Sequence, residues 1–137
     1  MNDHIFFVDD EKNILTSIKR LFRHSKLNIH IYTSAIKALK DMQDVSPAVV
    51  VSDYRMPEMT GIEFLNKVQE ENPQSIRIIL SAFTDIAIAE SAINKNIVHW
   101  FFQKPWDEKE LVSDILSYVK LYNTNYFKEQ SYGIFGE

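Results

Sequence analysis

The chain of 137 residues contains no cysteine. That absence excludes disulfide staples, cysteine-based metal sites and a thiol nucleophile together, and it suits a reducing compartment. Glycine is scarce, at three residues, and none lies near the first apolar run. No internal repeat or low-complexity segment is present. No apolar stretch approaches the roughly 20 residues that a membrane-spanning helix needs. The opening Met1-Asn2-Asp3-His4 lacks the basic region and apolar core of a secretory signal. The expectation is a cytoplasmic protein without membrane contact. Basic residues are outnumbered, 15 against 19 acidic ones, for a net charge of −4. Direct nucleic-acid binding is not expected, because the basic footprint is missing. The four histidines, His4, His24, His30 and His99, are scattered without metal-ligand spacing.

What is present reads as one globular domain. The hydrophobic fraction of 45% and the charged fraction of 25% are ordinary for such a chain, and its length suffices for a real core. Within Ala48-Val49-Val50-Val51-Ser52-Asp53, entered after Pro47, the three consecutive valines are an unbroken β-branched run. Runs of this kind form central strands of parallel sheets, buried on both faces. Shorter apolar runs at Ile5–Val8, Ile76–Leu80 and Val98–Phe102, with a more alternating one at Asn28–Tyr32, complete five strands. Between them lie helical patterns. The first, from Glu11 to about His24, places Ile14, Leu15, Ile18, Leu21 and Phe22 on one face. The second is capped at Thr33-Ser34 and runs to about Gln43; the third follows Thr60-Gly61 and stops before Asn72-Pro73. The fourth is capped by Thr84 or Asp85, and the last by Asp107. Five alternating β-α units predict a flavodoxin-like, doubly wound α/β/α sandwich with strand order 2-1-3-4-5 and its switch point between strands 1 and 3.

In open parallel sheets, ligands bind at the carboxyl ends of the strands. Strand 1 ends on Asp9-Asp10, strand 3 on Asp53, strand 4 on Ser81 and strand 5 leads to Lys104. Taken singly each has an ordinary explanation: an aspartate capping a helix or loop, a loop hydroxyl, a solvated lysine. Five such residues arriving at one edge of one sheet is a different matter. Three carboxylates crowded at the switch point repel unless a cation intervenes. An oxygen-only donor set suits Mg²⁺, with Mn²⁺ as an alternative. A hydroxyl and an ammonium beside Asp53 could hold the oxygens of a phosphoryl group.

With these residues in place, the sequence resembles the receiver domain of two-component response regulators. The resemblance is carried by Val8-Asp9-Asp10-Glu11, by Val51-Ser52-Asp53-Tyr54-Arg55-Met56-Pro57 with Gly61, by Leu80-Ser81-Ala82, and by Phe102-Gln103-Lys104-Pro105-Trp106. It covers roughly residues 4 to 121, giving a receiver domain over 1–122 and an extension or linker stub over 123–137. The resemblance implies that Asp53 accepts a phosphoryl group from a sensor histidine kinase, a phosphotransfer protein or a small acyl phosphate. It implies that Asp10, Asp53 and the backbone carbonyl of Arg55 bind the metal, with Asp9 behind them or acting through water. Lys104 would pair with Asp53, Ser81 would close on the phosphoryl group, and Phe101 falls at the aromatic switch position. Phe101 carries no hydroxyl, so a switch there would work by burial. Arg55 and Phe83 fall at the positions that tune dephosphorylation; a bulky apolar Phe83 cannot orient water by hydrogen bonding, which predicts slow-to-moderate decay. The chain would not be an enzyme in the ordinary sense, since it would catalyse only its own phosphorylation and dephosphorylation. Output would pass through the helix from about Thr84, the fifth strand and the last helix, to an output domain, a partner or a second copy in a phosphorylation-linked dimer. The run Lys104-Pro105-Trp106-Asp107 is similar to receivers coupled to cyclic-di-nucleotide phosphodiesterase domains.

Three rivals fare worse. A haloacid-dehalogenase-type phosphatase or transferase wants a second aspartate two residues after the nucleophile, where this chain has Arg55. A flavodoxin-like FMN carrier needs a phosphate-cradling loop where this chain has Asp9-Asp10-Glu11. A phosphorylation-independent pseudo-receiver would lack one or more of the five site residues.

Overall fold

The structure is a computed structural model that describes the backbone of residues 1–132 and the side chains of residues 1–124. The elements run β1 (His4–Val8), α1 (Lys12–Leu21), β2 (Asn28–Tyr32), α2 (Ala35–Asp41), β3 (Val49–Asp53), α3 (Gly61–Glu71), β4 (Ile76–Ser81), a 3₁₀ turn η1 (Phe83–Asp85), α4 (Ile86–Asn94), β5 (Trp100–Gln103) and α5 (Glu108–Tyr132). All strand pairs are parallel, in the order β2-β1-β3-β4-β5. This is the flavodoxin-like order that the five β-α units predict.

Alternation along the strands builds two cores. Val49 and Val51 join Ile5, Phe7, Ile78 and Leu80 against α1 and α5, through Leu15, Ile18, Leu111, Ile115 and Val119. Val50 points the other way, with Phe6, Val8 and Ile79, against Phe64, Leu65 and Val68 of α3 and Ala89 and Ala92 of α4. All five residues of β3 are buried. Helix starts follow their caps. Ser34 accepts from Lys37 N at 3.2 Å, Thr60 and Glu63 form a reciprocal capping box, and Asp107 accepts from Glu110 N at 2.9 Å.

Several boundaries differ from the periodicity. α1 ends at Leu21 rather than near His24, and α2 at Asp41 rather than Gln43, each closing in a short turn. β5 begins at Trp100 rather than Val98, although His99 N already reaches Arg77 O of β4 at 2.8 Å in the approach to the strand. α5 continues without a break through Tyr132, and among the described side chains Tyr122 is the last that packs on the core. The side chains of Tyr126, Phe127 and Tyr132, and the whole of Gly133, Phe135 and Gly136, lie outside the described residues.

The amino end of the sheet is held by a buried guanidinium. Arg77 is the second residue of β4 and donates to the carbonyls of Ile97 (2.7 Å), Ser75 (2.9 Å) and Pro73 (3.0 Å). Burial lowers its pKa, yet the neighbouring carbonyls satisfy its donors. It ties the loops before β4 and before β5 together, at the end of the sheet away from the strand-end carboxylates.

Candidate functional site

The register sets the site. Val8 pairs with Ser52, so Asp9 comes level with Asp53, which itself pairs with Leu80. Ser81 stands one residue further along β4, and Lys104 follows Gln103, the partner of Ser81. All five strand-end residues thus arrive within two residues of one level. Oxygens of Asp9, Asp10 and Asp53 all lie within 4.8 Å of one another. Lys104 Nζ enters this cluster from β5, 2.9 Å from Asp53 Oδ1 and 3.3 Å from Asp9 Oδ2. Lys104 and Pro105 are joined by a cis peptide bond.

Electrostatics explain the arrangement. Asp9 is buried, and burial foremost raises its carboxyl above the usual aspartate value; the Asp53 charge adds to this, while the Glu11 N–H at 2.9 Å and Lys104 oppose it. Burial alone would lower Lys104, but its hydrogen bond to Asp53 and the charges of Asp9 and Asp53 together outweigh burial and hold the ammonium protonated. One ammonium faces three carboxylates, so the cluster carries excess negative charge on hard oxygen donors. That donor set, with Asp10 exposed at the rim, fits a small divalent cation of the Mg²⁺ kind.

The residues around Asp53 hold its backbone still. Ser52 Oγ donates to the Asp53 carbonyl at 2.9 Å, and Tyr54 N reaches Leu80 O at 3.1 Å. Gly61 N closes the loop onto Tyr54 O at 2.8 Å. A Cβ on Gly61 would fall on the Asp53 carbonyl and on Ile79, so no larger residue fits there. Ser81 is buried, and its hydroxyl donates to the Ala82 carbonyl at 3.1 Å, not to Asp53.

Other predicted residues are displaced from the cluster. Phe101 is half-buried, packed against the α4-side core and stacked on Trp100 with ring centroids 5.9 Å apart. Phe83 is 75% exposed. The Arg55 side chain turns away from the carboxylate cluster and forms a two-pronged pair with Asp85, Nε to Oδ2 at 2.9 Å and an Nη to Oδ1 at 2.8 Å. Asp85 does occupy the N-cap position of α4, as predicted, but its side chain makes no cap hydrogen bond because Arg55 holds it. Its role as a partner of Arg55 is absent from the sequence expectation. The signal available was an unmatched arginine two residues after Asp53 and an aspartate four after Ser81, on neighbouring loops.

The site is thus an acidic cluster with one lysine at the carboxyl edge of a doubly wound five-stranded parallel sheet. The family model of the response regulator receiver domain matches residues 5–116. The chain belongs to that family. It is 33% identical to the response regulator protein TmoT of Ectopseudomonas mendocina over 88% of this chain and 56% of the relative. It is 32% identical to the response regulator protein TodT of Pseudomonas putida over 85% of this chain and 51% of the relative. The chain therefore spans about half the length of these curated relatives. Among solved structures, an adenylate cyclase from Rhodopirellula baltica superposes with a TM-score of 0.89 at 27% identity, over 95% of this chain and 96% of that one. Among the described residues, no helix is long and apolar enough to cross a membrane.

Proposed function

We propose that this receiver domain is a phosphorylation switch whose acceptor is Asp53, charged by a sensor histidine kinase or a phosphotransfer protein. The observation that carries the proposal is Lys104 Nζ set between Asp53 and Asp9, with Asp10 in the same cluster. An Asp53 carboxylate oxygen attacks phosphorus while the P–N bond of a phosphohistidine, or the P–O bond of an acyl phosphate, breaks and leaves its electron pair on the departing group. Lys104 neutralises the incoming oxygens, and the Ser81 hydroxyl rotates from the Ala82 carbonyl to meet them. Asp10, Asp53 and the Arg55 carbonyl would hold Mg²⁺, with Asp9 behind them, and the ion would supply charge neutralisation of the phosphoryl oxygens when bound.

With Lys104 Nζ 2.9 Å from Asp53 and the Ser81 hydroxyl one rotation away, the chemistry is confined to the domain's own phosphorylation and dephosphorylation. Phe83 offers no hydrogen bond to an attacking water, and this supports slow-to-moderate decay of the phosphoryl state; a half-life of seconds without a phosphatase would contradict it. Output passes through the α4-β5-α5 side to an attached domain, a partner or a second copy. Ile88, Trp100, Leu116 and Leu121 supply exposed apolar surface on these elements. The receiver unit is residues 1–122, and 123–137 serve as an extension or linker towards the output. The phosphatase alternative finds no support, since the residue two after Asp53 is an arginine engaged with Asp85.

Incubation with acetyl phosphate and Mg²⁺ followed by intact mass measurement tests the proposal. A phosphoryl adduct absent from Asp53→Ala is expected. Wild type without an adduct, across several phosphoryl donors, would overturn it.

A further inference from the structure

The Arg55–Asp85 pair is asymmetric in a way that suggests a mechanism. The Asp85 side chain is 4% exposed, the Arg55 side chain 71%. A buried carboxylate is thus compensated by a cation standing mostly in water. Among the described residues, these are the only side-chain hydrogen bonds made by η1, whose backbone is tied by Asp85 N to Ala82 O at 2.9 Å and by Ile86 N to Phe83 O. The pair therefore spans two loops, joining the segment that leaves Asp53 to the segment that carries Ser81 into α4.

Each partner has somewhere else to go. The Arg55 guanidinium is held protonated foremost by Asp85, and the Asp53 carboxylate already acts on it as well. Leaving Asp85 costs the arginine little, since it is largely solvated. Asp85 cannot stay alone, because a buried, unpaired carboxylate is strongly disfavoured. It stands at the N-cap of α4 with its cap unmade, so the first-turn N–H groups of Ala87 and Ile88 are the nearest donors that could satisfy it.

We infer that Arg55 and Asp85 form a partner-exchange latch: a phosphoryl group on Asp53 draws the Arg55 guanidinium away, and the released Asp85 becomes the N-cap of α4. This rests on the phospho-acceptor reading of Asp53 and deepens it by naming how the charge reaches α4. Phosphorylation replaces the single carboxylate charge of Asp53 by a phosphoryl group carrying about −1.5 to −2 charges on three acceptor oxygens, two residues from Arg55, enough to compete with one carboxylate for the same guanidinium. The two arrangements exchange one hydrogen-bonded anion for another, so they can lie close in free energy and be shifted by a single modification. Phe83, exposed and apolar, moves with the turn and leaves or joins the output surface. Arg55 and Asp85 are positioning residues, acting on α4 and not on the reacting atoms.

Amide hydrogen exchange at Ala87 and Ile88, on the full chain, tests the latch. Beryllofluoride with Mg²⁺ stands in for the phosphoryl group, and fluorine NMR reports separately whether it binds. An N-cap is worth about 1 kcal/mol, so roughly five-fold slower exchange is expected at one or both amides when beryllofluoride binds. Arg55→Ala should show that protection without beryllofluoride, and Asp85→Ala should lack it with or without. Asp85→Asn, which can cap but cannot bind the guanidinium as an anion, should be protected in both states. Bound beryllofluoride with unchanged exchange in wild type and in Arg55→Ala would overturn the latch while leaving the acceptor reading intact. Failure of beryllofluoride to bind would count against the acceptor reading itself, and the latch would fall with it.

Discussion

β3 and β5 each deliver one charged residue to the same cluster, yet they are built oppositely. β3 lies between β1 and β4, with all five residues buried and valines feeding both cores. β5 is the sheet's last strand, four residues long, with Trp100 half in solvent and its two phenylalanines only partly buried. Asp53 therefore cannot shift without disturbing both cores, whereas Lys104 rides on a strand whose aromatic residues can repack. The difference separates two tasks. The group proposed to react is fixed by close packing, and Lys104, proposed to answer it, follows an edge strand whose side chains are only partly buried.

Substitutions can break this contrast at graded strengths. Gly61→Ala is the most severe, because the new methyl meets backbone at Asp53 and the side chain of Ile79. A loss above about 3 kcal/mol is expected in denaturant unfolding, more than ordinary overpacking costs. Lys104→Met leaves Asp9 and Asp53 facing each other without a cation, and a loss of about 2 kcal/mol is expected in EDTA, discounted for the partial exposure of the lysine. Added Mg²⁺ should restore part of it, which thermal melts with and without the ion would reveal. The sign with pH follows from Lys104 being held above its ordinary 10.5. Its contribution is fully present below that pH and is lost as pH rises through the folded value, so wild type and variant should converge there.

Val50→Ala and Trp100→Ala sharpen the comparison directly. The first opens a cavity in a fully buried strand and should cost about 2 kcal/mol. The second trims a side chain that is 49% exposed and should stay within about 0.5 kcal/mol. Equal losses in the two would mean that β5 is as tightly held as β3. Binding of an output partner should respond in the reverse order.

Much of this was legible in the residues alone, for physical reasons. Val49, Val50 and Val51 announce a strand buried on both faces, and such a strand implies parallel neighbours, helices on both sides and a site at the carboxyl ends. Asp9, Asp10, Asp53, Ser81 and Lys104 were findable because each stands within two residues of the end of an apolar run, so predicting the strands also places the side chains. The meeting of Arg55 with Asp85 was not, since both lie on loops whose paths no periodicity describes. Arg77 was equally hidden: a charge inside a strand pattern reads as solvent-facing, and only the surrounding carbonyls make its burial tolerable. Gly61 was visible as a turn residue, but its contact with the Asp53 carbonyl depends on how α3 returns to the sheet.

The claim on which the account turns is that one carboxylate, that of Asp53, takes the phosphoryl group. Borohydride reduces an aspartyl phosphate to homoserine, so reduction after treatment with acetyl phosphate and Mg²⁺, followed by peptide sequencing by mass spectrometry, locates the acceptor. The account predicts homoserine at position 53 and at neither 9 nor 10. Homoserine at position 9 or 10, or an adduct with position 53 unchanged, would contradict it.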